Sequence, residues 1–264
     1  MAPLPSDLTQ SAGLSAPTAA QHPLDAVITP AYRRQRAYAP RPADLSANLR
    51  IIPLLEQFDN QLADAVRSCT ENIFTCNRSR ICAICSTRRK WRLLSNHKPF
   101  LLRMQGAVLL TLTTFPVRFI TKEKVLTVSR MFSRMKRRAC FRRAVGGGVS
   151  ALEIKASDSG WLVHLHVLME RKAPLSKNWV KTTWQSFGGG QQVDIDPIES
   201  RATMRTLSYL LKYPLDSDLI PSDVDHLRQY IRSTWGVRLF QAWGSAHSLH
   251  GRARTARVVS EVRQ

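Results

Sequence analysis

The segment from Trp161 to Leu168, with the sequence WLVHLHVL, constrains the fold of this 264-residue chain more than any other. Alternate side chains of a β-strand point to the same face, so His164 and His166 share one face and the intervening apolar residues share the other. Two imidazoles one pleat apart can bind a divalent cation together. The pattern therefore predicts a strand with a metal-binding face, whose third ligand comes from a neighbouring strand.

A second strand-like run precedes this segment, and the turn sequence Ser157-Asp158-Ser159-Gly160 separates the two. If the turn closes a hairpin, Ala156 pairs with Trp161. Glu153 then lies directly opposite His164, with Cβ atoms roughly 5 Å apart. Two imidazoles and one carboxylate suit a hard or borderline cation that acts on phosphate oxygens. In the alternative interpretation, the histidines are surface residues or core residues satisfied by hydrogen bonds.

The order of the other elements mixes hairpin strands with helices and lacks a strand–helix–strand alternation. This order favours an α+β fold with one central antiparallel sheet and flanking helices, beside a small zinc-binding element. Two more strands are predicted at 107–114 and 192–195. The predicted helices are 125–139, which has a basic outer face and ends near Gly146-Gly147-Gly148, then 176–187, which is capped by Ser176, 200–213 and 222–235.

Composition divides the chain into four segments. Residues 1–45 are rich in Ala, Pro, Ser and Gln and are predicted to be a disordered leader. Residues 46–100 should hold a cysteine-rich element and a helix that begins near Leu54, because Pro53 interrupts the helical spacing before it. Residues 101–250 should form the α+β domain, and 251–264 a short basic tail.

The chain is strongly basic, with 39 Lys and Arg against 19 Asp and Glu and a formal net charge of +20. A polyanionic partner explains such an excess, with nucleic acid as the first candidate and an anionic membrane surface as the second. The sequence has no apolar run of about 20 residues and no secretory signal, which predicts no membrane span and a cytoplasmic location. The candidate DNA-binding residues are Arg78, Arg80, Arg88, Arg89, Lys90, Arg134, Arg137 and Arg138.

Four of the five cysteines lie close together, at Cys69, Cys76, Cys82 and Cys85. In a reducing compartment they are more typical of metal ligands than of disulfides, and a C-x2-C pair with two more cysteines nearby can bind Zn²⁺ tetrahedrally. The alternative is that they are free thiols. Cys140, on the basic helix, is interpreted as a small buried or half-buried side chain.

Two tyrosines four residues apart, Tyr209 and Tyr213, should share one face of the predicted helix, with Lys212 adjacent to both. A phenol has an ordinary pKa of about 10 and is a weak nucleophile at neutral pH. It becomes effective when a cation polarises the phosphate that it attacks and when an ammonium lies nearby. The alternative is that this amphipathic segment serves packing alone.

The run LLTLTT, the pair of Glu153 with WLVHLHVL, the run YLLKYPL and the cysteine pattern occur in one order along residues 69–216. Together they resemble the motifs of plasmid rolling-circle replication initiators (Rep proteins) of the HUH endonuclease superfamily. The resemblance implies that His164 and His166 bind Mg²⁺ or Mn²⁺, with Glu153 as third ligand, and that residues 101–250 are the nicking domain. It implies an enzyme that nicks the double-strand origin through a covalent 5′-phosphotyrosine. The implied partners are origin DNA, single-stranded DNA, and a host helicase, polymerase and single-strand binding protein.

The tyrosine motif departs from the plasmid family at one position. Those proteins usually place the nucleophile at the second tyrosine, with Lys three residues later, whereas here Asp216 follows Tyr213. Tyr209 keeps an intact Y-x-x-K with Lys212. Tyr213 is slightly favoured as the nucleophile. Two alternatives remain open: a two-tyrosine HUH transposase, and a non-catalytic zinc DNA-binding regulator.

Overall fold

Five antiparallel strands form one sheet, in which the histidine strand lies at the centre. In this computed structural model, which describes residues 40–71, 76–157, 160–212 and 224–247, the strand order is β4-β1-β3-β2-β5. The strands are β1 (Ala107–Thr113), β2 (Val145–Ser157), β3 (Gly160–Arg171), β4 (Val193–Pro197) and β5 (Phe240–Gly244). The predicted α+β class with a central antiparallel sheet is therefore confirmed.

The β2–β3 hairpin has the register predicted from the turn sequence. Ala156 pairs with Trp161 and Ser157 pairs with Gly160. Glu153 consequently lies opposite His164. On its other edge β3 pairs with β1, which contributes two threonines to the face of the sheet that carries the histidines.

The helices lie on both sides of this sheet. They are α1 (Pro42–Glu56), α2 (Asn60–Glu71), α3 (Ala83–Leu101), α4 (Lys122–Arg137), α5 (Ala139–Ala144), α6 (Lys177–Ser186), α7 (Thr203–Leu210) and α8 (Val224–Thr234). The N-cap of α6 is Ser176, whose hydroxyl accepts a hydrogen bond from the Trp179 N–H, as predicted. Helix α7 contacts both β3 and α3, so the segment that carries Tyr209 packs next to the histidine strand.

The opposite face of the sheet forms the hydrophobic core. Val163, Leu165 and Val167 of β3 are at most 3% exposed, and the apolar residues of β1 on the same face are buried with them. Helix α4 contacts β3 and also packs against α6 and α8. The alternation of β3 thus separates an apolar face under helices from a face that carries polar side chains.

Three predicted element boundaries are wrong. Helix α1 begins at Pro42, inside the segment interpreted as a leader, and continues through Pro53 instead of starting after it. Pro is favoured in the first turn of a helix, and Pro53, near the helix end, removes only one N–H bond. The helical segment after α4 ends at Ala144, near the predicted point, but β2 begins earlier than predicted, because Gly146 to Gly148 lie inside it. Helix α7 ends at Leu210, before the predicted boundary at Tyr213.

The glycines belong to the strand because β2 is closely packed there. A Cβ on Gly147 would collide with the backbone of Ser245, and a Cβ on Gly148 would collide with the Leu168 carbonyl. Only glycine permits this approach.

The prediction for Cys140 is wrong: it was expected to be buried or half-buried, and its side chain is exposed. Within the described residues, no helix has the length and apolarity that crossing a membrane requires.

Candidate metal centres and tyrosine site

Two threonines of β1 orient the two histidines of β3. Thr111 lies opposite His166 and Thr113 lies opposite His164. Each hydroxyl is 3.2 Å from the Nδ1 atom of the imidazole that it faces. The rings are stacked 6.1 Å apart, with 17° between their planes. Engagement of both Nδ1 atoms leaves the Nε2 atoms for a further partner, an arrangement typical of oriented ligand histidines.

Glu153 of β2 completes this face, which we call the histidine face (His164, His166 and Glu153). Glu153 Oε2 is 2.9 Å from His166 Nε2. Its other oxygen, Oε1, forms ion pairs with Lys212 Nζ at 2.7 Å and with Lys155 Nζ at 3.5 Å. The carboxylate therefore bridges an imidazole and two ammonium groups.

The ionisation of the histidine face follows from these contacts. Burial raises the pKa of Glu153, but the hydrogen bonds from His166 and Lys212 and the charges of Lys212 and Lys155 outweigh it and lower the pKa to about 2. Burial lowers the pKa of His164 and outweighs the opposing effect of Glu153. A neutral imidazole next to an ionised carboxylate is the protonation state that a metal ligand requires.

The tyrosine segment meets the histidine face through Lys212. Its ammonium lies 5.0 Å from the ring centroid of Tyr209, within cation–π distance, while it pairs with Glu153. Tyr209 is 53% exposed. Tyr209, Lys212, Glu153 and His166 all line one small cavity. Tyr213 and Asp216 lie outside the described residues.

The four cysteines form a second, tighter cluster, which we call the thiolate cluster (Cys69, Cys76, Cys82 and Cys85). Their sulfur atoms all lie within 4.8 Å of one another. Cys85 Sγ is 3.7 Å from Cys69 Sγ and 3.6 Å from Cys76 Sγ. Four sulfurs at the usual zinc–sulfur distance would be about 3.8 Å apart, whereas a disulfide would require about 2.05 Å. The cluster could therefore hold a metal such as zinc.

The surroundings of the thiolate cluster favour one anionic sulfur, that of Cys85. The hydrogen bond with Cys82 lowers the pKa of Cys76, but the one with Cys85 and burial outweigh it and raise that pKa to about 12. Hydrogen bonds with Cys76 and Cys85 raise the pKa of Cys82. Hydrogen bonds from the Cys76 and Cys82 thiols lower the pKa of Cys85 to about 2. Asn48 holds the cluster in position, since its side-chain amide donates to Cys82 Sγ at 3.4 Å and its oxygen accepts from the Ala83 N–H at 2.8 Å. Neutralisation by a cation is the ordinary role of such convergent thiolates.

The two centres differ in how closely their donor atoms lie together. In the part of the chain that the structure describes, the thiolate cluster is the one group of three or more His, Cys, Asp or Glu side chains placed closely enough to hold a metal ion. The histidine face has suitable donor atoms, but Lys212 occupies one oxygen of its carboxylate. A cation there would have to displace that ammonium and also replace the 2.9 Å contact between Glu153 Oε2 and His166 Nε2.

The predicted basic residues fall in two regions. Arg134, Arg137 and Arg138 are exposed at the end of α4 and beyond it. The guanidinium carbons of Arg134 and Arg138 lie 4.3 and 5.6 Å from the ring centroid of Phe187. In the second region, near the thiolate cluster, Arg78 is exposed, and the other four predicted residues are partly buried: Arg80, Arg88, Arg89 and Lys90.

Sequence reasoning missed several side chains at these sites. Thr111 and Thr113 alternate along β1 in the same period as the histidines, so their contact with β3 could have been inferred once β1 was paired with it. Lys155 shares the face of Glu153 because it is two residues further along the same strand. Asn48 has no comparable signal, since it lies in the part of α1 before Pro53, where the sequence did not predict a helix.

In comparisons with known proteins, no family model, no curated protein and no solved structure matches the chain.

Proposed function

We propose that this protein is a metal-dependent DNA-nicking enzyme of the HUH type that initiates rolling-circle replication of a plasmid or a similar replicon. One observation carries the proposal: Tyr209 and Lys212, from a late segment, reach the same face of the sheet as His164, His166 and Glu153. The ammonium of Lys212 bridges the two groups, 2.7 Å from Glu153 Oε1 and 5.0 Å from the Tyr209 ring. The net charge of +20 suits DNA as the substrate.

The donor set fits a Mg²⁺ or Mn²⁺ ion in its chemistry. His164, His166 and Glu153 would hold it: the ionised carboxylate is the ligand that Mg²⁺ and Mn²⁺ prefer, and the two imidazoles would add nitrogen donors. A cation bound there supplies charge that stabilises a pentacovalent phosphate. Thr111 and Thr113 keep the imidazoles oriented, each through a 3.2 Å contact to Nδ1.

The chain supplies the nucleophile and positions it. In the proposed reaction the phenol oxygen of Tyr213 or Tyr209 loses its proton and bonds to phosphorus. The bond from phosphorus to the 3′ oxygen breaks, and that oxygen takes up a proton. The products are a 5′-phosphotyrosine and a free 3′ hydroxyl, which a polymerase can extend. Lys212 is close enough to Tyr209 to bind the phosphate beside the phenol.

A second candidate function, a non-catalytic zinc DNA-binding regulator, has one observation in its favour. The thiolate cluster converges on a metal-sized site, whereas the carboxylate of the histidine face is paired with Lys212. The regulator predicts that the tyrosines and histidines are dispensable for activity. The nicking reaction separates the two functions directly.

The test is incubation of the purified protein with supercoiled origin DNA and Mn²⁺, followed by a search for nicked circles that carry covalently attached protein. We expect wild type and the exposed control Cys140→Ser to form them. The double variant Tyr209→Phe, Tyr213→Phe should form none, and the two single variants show which phenol attacks. Absence of nicking by wild type, or nicking by the double variant at the wild-type rate, contradicts the proposal.

A further inference from the structure

A cavity of about 280 Å³ lies between the loop of the thiolate cluster and the end of helix α8. Residues 77–81, which connect Cys76 to Cys82, form one wall. Arg89 of α3 lies beside them, and Thr234, Trp235 and Gly236 close the other side. Ligand sites usually measure roughly 300–1,000 Å³, so this cavity has room for one small ligand and none for a duplex.

Two guanidinium groups are crowded into the cavity wall. Burial lowers the pKa of Arg80, and burial together with the charges of Arg80 and Arg92 lowers the pKa of Arg89. Among the described residues, no acidic side chain lines the cavity. Positive charges that are partly buried and adjacent repel each other, and a bound anion would relieve that repulsion.

The hydrogen bonds of these arginines leave donor capacity. Arg80 Nη2 donates to the Val237 carbonyl and Arg89 Nη1 donates to Ser79 Oγ at 3.2 Å. A guanidinium carries five N–H donors, so both arginines can still donate to the oxygens of a phosphate.

An exposed aromatic side chain lies at the rim of the same cavity. Trp235 is 51% exposed, and the guanidinium carbon of Arg78 lies 5.1 Å from its ring centroid. An indole next to a guanidinium cluster matches two parts of one ligand, a base that stacks and a phosphate that pairs.

We propose that this cavity binds one unpaired nucleotide of single-stranded DNA, with its base on Trp235 and its phosphate between Arg80 and Arg89. The choice of a DNA strand as the source of that nucleotide rests on the proposed nicking function. The stacking and phosphate contacts themselves do not depend on it.

The cavity is connected to the tyrosine site by a continuous line of basic residues. Arg80 and Arg89 also line a neighbouring cavity, whose wall includes Lys90 and Lys212. Lys212 in turn lines the cavity at Glu153 and His166. A strand anchored at Trp235 could therefore follow Lys90 to Lys212, where its phosphate would meet Tyr209.

The thiolate cluster holds one wall of the nucleotide cavity. Residues 77–81 lie between two of its sulfurs, and Asn77 adopts a φ of +56° directly after Cys76. A metal on the cysteines would fix this wall, so we expect removal of the metal to weaken nucleotide binding as well as the fold.

The test is fluorescence anisotropy of a labelled oligothymidylate titrated with the full-length protein in EDTA-free buffer. Trp235→Leu should raise Kd about tenfold, the usual loss for one stacking side chain, whereas Trp235→Phe, which keeps an aromatic ring, should stay within about threefold of wild type. Arg78→Gln should weaken binding and lower the slope of log K against log salt by about one. Arg142→Gln, an exposed arginine on α5, is the matched control for loss of one charge.

The outcomes decide the proposal. If Trp235→Leu binds the oligonucleotide as tightly as wild type and the control Arg142→Gln do, with an unchanged melting temperature, the cavity is not a nucleotide site. If thymidine monophosphate alone binds as tightly as the oligonucleotide and competes with it, the cavity takes a free nucleotide and the strand assignment is wrong.

The nicking reaction separates this proposal from the function on which its ligand rests. If oligonucleotide binding depends on Trp235 but the protein does not nick origin DNA, the nicking function is wrong and the nucleotide site stands. If the Trp235→Leu variant nicks origin DNA and also binds the oligonucleotide as wild type does, the nucleotide site is wrong and the nicking function stands.

Discussion

The thiolate cluster and the histidine face are two candidate metal centres in one chain, and they are built differently. The cysteines come from two helices and the loop between them, and their sulfurs already lie within 4.8 Å of one another. The histidine face is built on adjacent strands of a rigid sheet, and a lysine from a later segment forms an ion pair with its carboxylate. The four sulfurs converge on one point, whereas at the histidine face Glu153 contacts His166 and pairs with Lys212, and the two imidazoles lie 6.1 Å apart.

This difference predicts a structural role for the thiolate cluster and a catalytic role for the histidine face. A converged thiolate set binds metal to hold chain segments together, and its free energy of binding is part of the free energy of folding. The histidine face does not need a metal for its own stability, because strand pairing positions its donors and Lys212 neutralises Glu153. Metal loss should therefore act on stability at the first centre and on activity at the second.

The largest effect is expected at the thiolate cluster. Cys85→Ser, or extraction of the metal with a strong chelator, should lower Tm by at least about 10 °C, because structural zinc commonly contributes about 10–16 kcal/mol in small domains. Thermal melting by circular dichroism, together with metal analysis, measures this. Cys140→Ser, exposed and outside the cluster, should melt as wild type does; equal melting of both variants would show that the cluster holds no structural metal.

A large effect on activity with little effect on stability is expected at the histidine face. His166→Ala removes the imidazole bonded to Thr111 and Glu153 and should reduce nicking by about 10²–10³-fold. Its Tm should stay within about 4 °C of wild type, since the ring is not part of the apolar core. Nicking assays and thermal melting on the same preparation measure the loss of activity and the change in Tm. A fall in Tm as large as that of Cys85→Ser would make the histidine face a structural element.

A smaller effect concerns the stability of the protein in acid. The pKa of Glu153 is lowered from 4.5 to about 2, so its ionised form stabilises the folded state above about pH 4.5, and this stabilisation is lost as the pH falls toward 2. Urea unfolding should give a free-energy difference between wild type and Glu153→Gln on the order of 2 kcal/mol at pH 6 that shrinks at pH 3.

The control for this titration is Glu123→Gln. Glu123 pairs with Arg130 at 2.8 Å on the surface, where ion pairs contribute little. Its substitution should leave the unfolding free energy nearly unchanged at both pH values. A difference for Glu153→Gln that does not depend on pH would mean that the carboxylate is not held ionised by Lys212 and His166.

The smallest effect on activity is expected for a threonine that orients one of the histidine rings. Thr111→Val keeps the shape of the side chain and removes the hydroxyl that contacts His166 Nδ1 at 3.2 Å. Loss of such an orienting contact typically weakens metal affinity or activity by about tenfold. Measurement of nicking against Mn²⁺ concentration should show a higher requirement in the variant, while Thr182→Val, an exposed helical position, should show none.

Local pattern predicted the parts of the fold in which few alternatives exist. The two-residue period of β3 and the turn before Gly160 fixed the hairpin register, and the register placed Glu153 opposite His164. The spacing of the four cysteines predicted their convergence, because short loops cannot carry their ends far apart. These features depend on neighbours in sequence.

Features that depend on distant neighbours were missed or mispredicted. The glycine run was interpreted only as a helix end, but it lies inside β2, where β5 approaches so closely that no side chain fits at Gly147. Arg80, in the wall of the cavity beside Trp235, donates a hydrogen bond to the Val237 carbonyl, which lies 157 positions further along the chain. No local pattern signals such a contact. Cys140 was expected to be buried or half-buried on the basic helix, but it lies beyond the end of α4, on the short helix α5, and its side chain is exposed.

Inserted residues should have different effects at the two ends of β2, because one end holds a bulge and the other leads into the hairpin turn. At the start of the strand, a bulge at Gly146 already interrupts the pairing, so one inserted residue there can be accommodated by a larger bulge. Near Ser157, one inserted residue would reverse the parity of every position between the turn and Glu153 and send its carboxylate into the apolar layer. A single inserted residue should therefore be tolerated better at the bulge than near Ser157, where chain length should stay constant.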